Sequence, residues 1–426
     1  MIMKTRIAIS TLGCKINQSE SAGIISQFDP DSIELVDFEQ DADIYIVNTC
    51  TVTNRTDYKS RNLIRKALEH KNKHHNVKVI VTGCYSQRSR EEVLELGDID
   101  LVVDNQNKIV IKALIEDSSY QFKDIMEADE FAFHLQSSMS DNSRAFQKIQ
   151  DGCDYYCSYC AVPYARGHIR SAKLKDVITQ AELFVANGYR EIVLGGVNLA
   201  LYRDGKNDLA EVVKALSNIN GLEILRLSSL EPQLLSERLL EAVKSSPILA
   251  PHFHIAIQSG CDAVLNRMKR VYDTALLRDK FAQLISIFPD AAIGGDVIVG
   301  FPGETSEDYK QTLNFLDSSP LTYLHVFAYS KRKGTPAAAM PQQIVGEVKK
   351  ERSRALMQLS DAKKNEYISS MIINKTPIRG VVESIDQGIP TFLSDHYIRA
   401  FTTTPCQQGQ VISIIPSQPH LDGVMG

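Results

Sequence analysis

The chain lacks any apolar run long enough to cross a bilayer. Its first residues, Met1-Ile2-Met3-Lys4-Thr5-Arg6, also lack the charged head, apolar middle and small-residue cleavage site of a signal peptide. A cytoplasmic protein that meets no membrane is the expectation. A basic surplus is missing too: the net charge of −5 gives no global attraction to a polyanion, so any nucleic-acid contact has to be local. In a reducing compartment the eight cysteines do not read as a disulfide framework, which leaves ligands, nucleophiles or small buried residues. With 426 residues, 43% hydrophobic and 23% charged, the chain has the size of two or three globular domains.

Three of the cysteines crowd one turn. Cys153, Cys157 and Cys160 lie in Asp151-Gly152-Cys153-Asp154-Tyr155-Tyr156-Cys157-Ser158-Tyr159-Cys160, just after the strand-like run Ala145 to Ile149. Three soft thiolates and no fourth suit a cubane iron-sulfur cluster with one iron left open to a ligand that is not protein. Zinc, with His168 as a fourth ligand, is the plainer alternative, although structural zinc sites usually pair their cysteines around a knuckle.

Residues 1–116 alternate strand-like and helix-like stretches, the pattern of a parallel sheet covered by helices. Cys14 follows Thr11-Leu12-Gly13, Cys50 follows Val47-Asn48-Thr49, and Cys84 follows Val81-Thr82-Gly83. Each therefore sits just past the carboxyl end of an expected strand, the edge where open α/β sheets bind ligands. Any one of them alone reads as a small buried hydrophobe. Three in the same strand-end position predict a shared metal site, although they are 36 and 34 residues apart. Cys261 and Cys406 stand alone and read as structural.

A polar, serine-rich linker is expected over 117–143. Six strands follow, at Ala145 to Ile149, Glu191 to Leu194, Ile224 to Leu227, Phe253 to Ile257, Ala292 to Val299 and Tyr323 to Ala328, separated by helical stretches. Six strand-helix units in this length suit an incomplete α/β barrel whose active face is built from the loops after its strands. Beyond an amphipathic helix from Gln342 to about Met371, short strands divided by turn residues suggest a small β-barrel, a shape that often holds RNA.

The Cys153 loop resembles the cluster motif of the radical S-adenosylmethionine (SAM) superfamily. Further motifs extend the likeness to the radical-SAM methylthiotransferases: Thr11 to Glu20, Val47 to Thr53, Val81 to Cys84, Val162 to Gly167 and Asp296 to Thr305. Lys15 and Asn17-Gln18-Ser19-Glu20 favour the subgroup that acts on N6-threonylcarbamoyladenosine. The resemblance implies an α/β chain in three parts: a Rossmann-like parallel-sheet domain (1–116), a partial (β/α)6 radical-SAM barrel (144–370) and a small TRAM-like β-barrel (371–426). It implies two [4Fe-4S] clusters, one on Cys153, Cys157 and Cys160 and an auxiliary one on Cys14, Cys50 and Cys84, all six counted as catalytic. By matching position, SAM is expected to lie against Tyr159, Gly195, Gly196, Ser228, Gln258, Arg270, Val299 and Phe327.

The implied reaction replaces hydrogen on carbon 2 of N6-threonylcarbamoyladenosine at position 37, in the tRNA anticodon loop, with a methylthio group. The implied partners are that loop and an electron donor such as flavodoxin or ferredoxin; the protein is expected to be a monomer. Arg166, Arg332 and Lys333 are candidates for the threonyl carboxylate. Asp395 to Ala400 resembles the RNA-binding strand motif of the family tail, although this tail is short. The same chemistry on isopentenyladenosine or on a ribosomal-protein aspartate stays open, as does a non-catalytic iron-sulfur RNA-binding protein.

Overall fold

The structure, a computed structural model, describes residues 4–74, 76–117, 119–136 and 143–426. The expected linker therefore lies outside the described residues at 118 and 137–142.

The first domain is a five-stranded, all-parallel sheet in the order β2-β1-β3-β4-β5, built from β1 (Thr5–Thr11), β2 (Ile33–Leu35), β3 (Ile44–Thr49), β4 (Lys78–Gly83) and β5 (Leu101–Val102). The central strand β3 is buried at all its positions, as a parallel strand covered on both faces must be. Alternation sends Tyr45, Val47, Val79 and Val81 into one core and Ile44, Ile46 and Ile80 into the other. Helices α1 (Lys15–Ile25), α2 (Asn54–Lys73) and α3 (Cys84–Arg88) leave the carboxyl ends of β1, β3 and β4. A capping box closes the start of α2: the Thr53 hydroxyl accepts from the Thr56 amide, and the Thr53 amide donates back to Thr56.

The barrel holds the six expected strands: β6 (Ala145–Asp151), β7 (Glu191–Gly196), β8 (Ile224–Leu227), β9 (His252–Gln258), β10 (Ala292–Val299) and β11 (Tyr323–Ala328). Parallel ladders join β6, β7 and β8, and again β9, β10 and β11. Two isolated parallel bridges, Leu225 to Leu249 and Leu230 to Ile255, carry the sheet from one set to the other. Ile255, Ile257, Val297, Val299 and Leu324 face outward into the core beneath the helices. Alternation leaves His254, Ala256, Gln258, Asp296, Ile298, His325 and Phe327 on the inner face, the lumen. Among the described residues no helix is long and apolar enough to cross a membrane.

After the short helix α4 (Val162–Arg166) and the long α5 (Gly346–Asn374), the tail forms a sheet of β12 (Ile378–Asp386), β13 (Ile389–Leu393), β14 (Arg399–Phe401), β15 (Val411–Ile414), β16 (Gln418–His420) and β17 (Gly423–Met425). Its order is β15-β12-β13-β14-β17-β16, antiparallel except for β14 on β17, which fits a small barrel. The closing hairpin β16–β17 and the edge strand β2 were not expected. Both are three residues long, too short for an alternation pattern to stand out.

The tail motif Asp395 to Ala400 is largely turned inward, with Arg399 its one exposed residue. Ser394, Asp395 and His396 are buried against the barrel floor, where Arg226 donates to the carbonyls of Ser394 at 3.0 Å and Asp395 at 3.2 Å, and to Glu191 at 2.9 Å. His252, the first residue of β9, stacks on Tyr397 with ring centroids 4.3 Å apart.

Candidate active site

The Cys153 loop is held by backbone that tolerates few substitutions. Gly152 has φ +73, and a Cβ there would fall 1.8 Å from the His168 carbonyl oxygen. The amide of Cys153 donates to Gly167 O at 3.1 Å, that of Ser158 to Met268 O at 3.0 Å, and that of Cys160 to Cys157 O at 2.9 Å. Burial pushes all three thiols up from their ordinary range, Cys160 to about 12, while Arg270, whose Nη1 lies 2.9 Å from Cys157 Sγ, pulls Cys157 back down. Such buried thiols give up their protons to a metal that compensates the charge.

The other three cysteines arrive from separate strands and meet. Asn17 Nδ2 donates to Leu12 O at 2.7 Å and to Thr49 O at 3.0 Å, and Thr49 Oγ1 donates to Thr82 O at 2.6 Å. The backbones entering Cys14, Cys50 and Cys84 are thereby stitched side by side. Gly13 (φ +100) and Gly83 (φ +105) make the crossing possible: a Cβ on Gly13 would come 2.7 Å from Cys50 Sγ, and one on Gly83 would come 2.3 Å from Thr49 O. Burial pushes Cys50 to about 11 and Cys14 upward, and for both the neighbouring Cys84 adds to the rise.

Neither triad suits a single ion. Among the described residues the only three His, Cys, Asp or Glu ligand atoms within 4.8 Å of one another belong to His254, Asp296 and His325. Tetrahedral zinc needs its sulfurs about 3.8 Å apart, from a Zn–S bond near 2.3 Å. His168 Nδ1 lies 2.7 Å from Asp154, which leaves its Nε2 free. Wider thiolate spacing suits a cubane, whose irons separate the sulfurs.

The residues expected around SAM ring the mouth of the barrel, and one of them holds an unmet hydrogen-bonding group. Ser228 Oγ is buried with no partner, as a group awaiting a polar ligand would be, whereas the Asn198 amide faces the Cys153 thiol and lowers its pKa against burial. A Cβ on Gly195 would meet only Gln147 O, at 3.8 Å, so a ligand can approach that backbone; at Gly196 it would strike Gln150 at 2.8 Å, so that glycine answers to packing. Gln258 ends β9 at a register shift with φ +63, a conformation held only under local constraint. Tyr159 packs edge-on against Phe301, centroids 6.5 Å apart, and Phe327 is 44% exposed on the lumen side. Arg270 is committed to Cys157, Glu231 and Tyr272. The Val299 side chain points into the outer core, so only its backbone can face a cofactor; Ile298 takes the lumen position, and it and Tyr159 both pack against the cluster around Phe301. Asn198 and Glu231 went unnamed as site residues, although Gly-Gly-Val-Asn after a strand pointed to the first.

The two triads share one boundary. Helix α3, which begins at Cys84, packs on α4, which begins two residues after Cys160. Arg166 of α4, 2% exposed, donates to Glu20 at 2.6 and 3.0 Å, to Asn17 Oδ1 at 2.6 Å and to Asp151 at 3.2 Å. Its charge also lowers the Cys14 thiol against the burial that raises it. Lys108 and Lys148 complete the cage around Glu20 at 2.6 and 2.8 Å. Arg332, from the loop after β11, donates to Asn54 and Thr51 at 2.7 Å and to Asp57 at 2.5 Å, fixing the loop after Cys50. Neither arginine is free to bind a substrate carboxylate; Lys333 is exposed.

Two family models match the chain: "Uncharacterized protein family UPF0004" over residues 6–104 and "Radical SAM superfamily" over residues 148–316. The threonylcarbamoyladenosine tRNA methylthiotransferase MtaB of Bacillus subtilis is 36% identical over 96% of this chain and 93% of its own length. The tRNA-2-methylthio-N(6)-dimethylallyladenosine synthase of Hahella chejuensis is 32% identical over 84% of this chain and 82% of its own. The radical SAM methyltransferase TsrM of Kitasatospora setae shares the fold, with a TM-score of 0.61 and 13% identity over 79% of this chain and 77% of that one.

Proposed function

The chain belongs to the radical-SAM methylthiotransferase family, and from that membership we propose that it replaces the hydrogen on carbon 2 of N6-threonylcarbamoyladenosine, at position 37 of tRNA, with a methylthio group. One observation carries the reading: two thiolate triads, each one ligand short of a cubane, lie on either side of a boundary bridged by Arg166.

Carbon 2 of adenine is too weakly acidic for a side-chain base, so the difficult step belongs to cofactors. When bound, the clusters and SAM supply the electron, the radical and the methylthio sulfur. The protein's own residues bind and orient. Cys153, Cys157 and Cys160 hold one cluster and Cys14, Cys50 and Cys84 the other. Arg270 and Glu231 fix Cys157, Gly195, Ser228 and Gln258 offer polar contacts to SAM, and Tyr159 with Phe301 forms an apolar slot for its adenine. Position 37 is single-stranded, so its base can turn into the site at a cost of roughly a few kcal/mol. Exposed Lys59 and Arg65 on α2, with Lys331 and Lys333, remain for the phosphates, because Arg166, Arg170, Arg270 and Arg332 are buried. We assign the work to a cytoplasmic monomer reduced by flavodoxin or ferredoxin.

Nucleosides from a deletion strain test the substrate: the methylthio form of threonylcarbamoyladenosine should disappear. Loss of the methylthio form of isopentenyladenosine instead would support the second reading, which the Hahella relative keeps open. Anaerobically reconstituted protein should bind about eight irons and form 5'-deoxyadenosine; a non-catalytic RNA-binding protein would form none.

A further inference from the structure

The lumen holds a line of polar side chains that the chemistry above does not use. His252 Nε2 lies 2.7 Å from the Tyr323 hydroxyl, which lies 3.1 Å from His254 Nδ1. His254 Nε2 lies 2.9 Å from Asp296, and His325 Nδ1 lies 3.4 Å from the same carboxylate oxygen. The line is built into the fold. Gly294 leaves room for Tyr323, since a Cβ there would sit 1.9 Å from the phenol ring.

Counting donors and acceptors gives the line a direction. Burial holds His252 well below its ordinary range and therefore neutral, and its Nδ1 is buried with no partner. A bare acceptor there costs less than a bare N–H, so Nε2–H donates to Tyr323. The phenol hydrogen then goes to His254 Nδ1, and His254 Nε2–H goes to Asp296. Burial alone would raise the Asp296 carboxyl, but the two imidazoles hold it well below the usual carboxylate range. His325 Nδ1, 3.4 Å from the same oxygen, is the nitrogen placed to give Asp296 a second N–H. His325 Nε2 is left as a lone pair on a side chain 44% exposed to the lumen. His325 lies two residues below Phe327, one of the residues expected to border SAM, so this acceptor sits about 6.6 Å down the same strand from that position.

We propose that Asp296 and His325 form an oriented hydrogen-bond acceptor that takes the threonyl-side N–H of the ureido group on the modified base, and so selects an N6-carbamoylated adenosine over an N6-alkylated one. The proposal rests on the tRNA reading above. The chemistry fits: an isopentenylated adenosine keeps its N6–H but brings no second N–H beyond a carbonyl, and a site built to pair with that group discriminates against a substrate that lacks it. His325 touches substrate in this scheme, whereas Asp296 acts through it by fixing the tautomer.

Imidazole 15N spectra of the full-length holoprotein test the orientation without substrate. His325 should carry its proton on Nδ1, and Asp296→Asn, whose amide can donate, should move it to Nε2. A proton on Nε2 in the unaltered protein overturns the proposal. With tRNA bearing threonylcarbamoyladenosine, Asp296→Asn and His325→Ala should raise KM about tenfold, the loss of one buried hydrogen bond, and change kcat less. His325→Gln, which restores an acceptor, should recover most of the loss. A KM for Asp296→Asn equal to that of the unaltered enzyme overturns it. So does a bound divalent metal other than iron that is lost in His254→Ala, since that would make the cluster a metal site. If the unaltered enzyme is inert on this tRNA, the substrate assignment fails instead, and the spectra still decide the orientation.

Discussion

Cys153, Cys157 and Cys160 are brought together by one loop, whereas Cys14, Cys50 and Cys84 meet only because β1, β3 and β4 end at one edge of one sheet. The first triad is a local device: a few backbone hydrogen bonds and Gly152 shape it, and Arg270 from the far side of the barrel touches one thiol. The second depends on the whole first domain, on Asn17 and Thr49 that stitch the strand ends, and on two glycines with positive φ. Geometry assembled from distant segments is lost when any one of them shifts, while a loop carries its geometry with it.

The largest effects should separate the two. Cys157→Ala should abolish both SAM cleavage and methylthio transfer, and Cys50→Ala should abolish transfer while 5'-deoxyadenosine continues to form. Equal loss of both activities in the two variants would remove the division of labour.

Next in size is Gly83→Ala. An alanine at φ +105 is strained, and its Cβ would meet backbone at 2.3 Å. The expected outcome is a protein that binds about half its iron, with the Cys153 cluster's spectrum retained. Full iron content would show that the strand-end geometry is less exacting than the contacts imply.

Arg166→Met leaves Glu20 and Asp151 with fewer partners at a buried boundary. Removing one member of a buried charge network costs about 3–5 kcal/mol, readable as a lower midpoint in urea. The same network gives a pH signature. Lys148 and Arg166 hold Asp151 at about 2 against the burial that would raise it, and Arg166 with Lys108 and Lys148 holds Glu20 below its ordinary range. Carboxyls depressed in the folded state stabilise it above their unfolded pKa values and lose that contribution as pH falls through the folded ones. Melting temperature should therefore stay level from about pH 8 to 5 and fall from about pH 4 toward 2. Arg166→Met should flatten that acid slope.

The smallest effect belongs to the surface. Lys333→Ala with Lys59→Ala should weaken tRNA binding severalfold and reduce the salt dependence by about one to two phosphate contacts. No change would move the RNA surface elsewhere.

Much of this was legible in the chain. The barrel strands stood out because buried parallel strands read as unbroken apolar runs, and the cysteines because each followed such a run. Arg166 and Arg332 misled for one reason: a charge looks free in sequence until its partner is known. Glu20 lies 146 positions from Arg166, and Asp57 lies 275 from Arg332. The line from His252 to His325 was invisible for the same reason, since 71 positions separate His252 from Tyr323.

Local pattern determined the longer strands, where they end and which thiols stand at those ends, because burial and turn chemistry act on neighbours along the chain. Only the tertiary structure decided which charges are consumed, that the tail motif closes the barrel floor, and that Asp296 holds an imidazole with its lone pair toward the lumen. Those outcomes depend on distances between residues far apart in sequence, and such distances exist only once the sheets have closed.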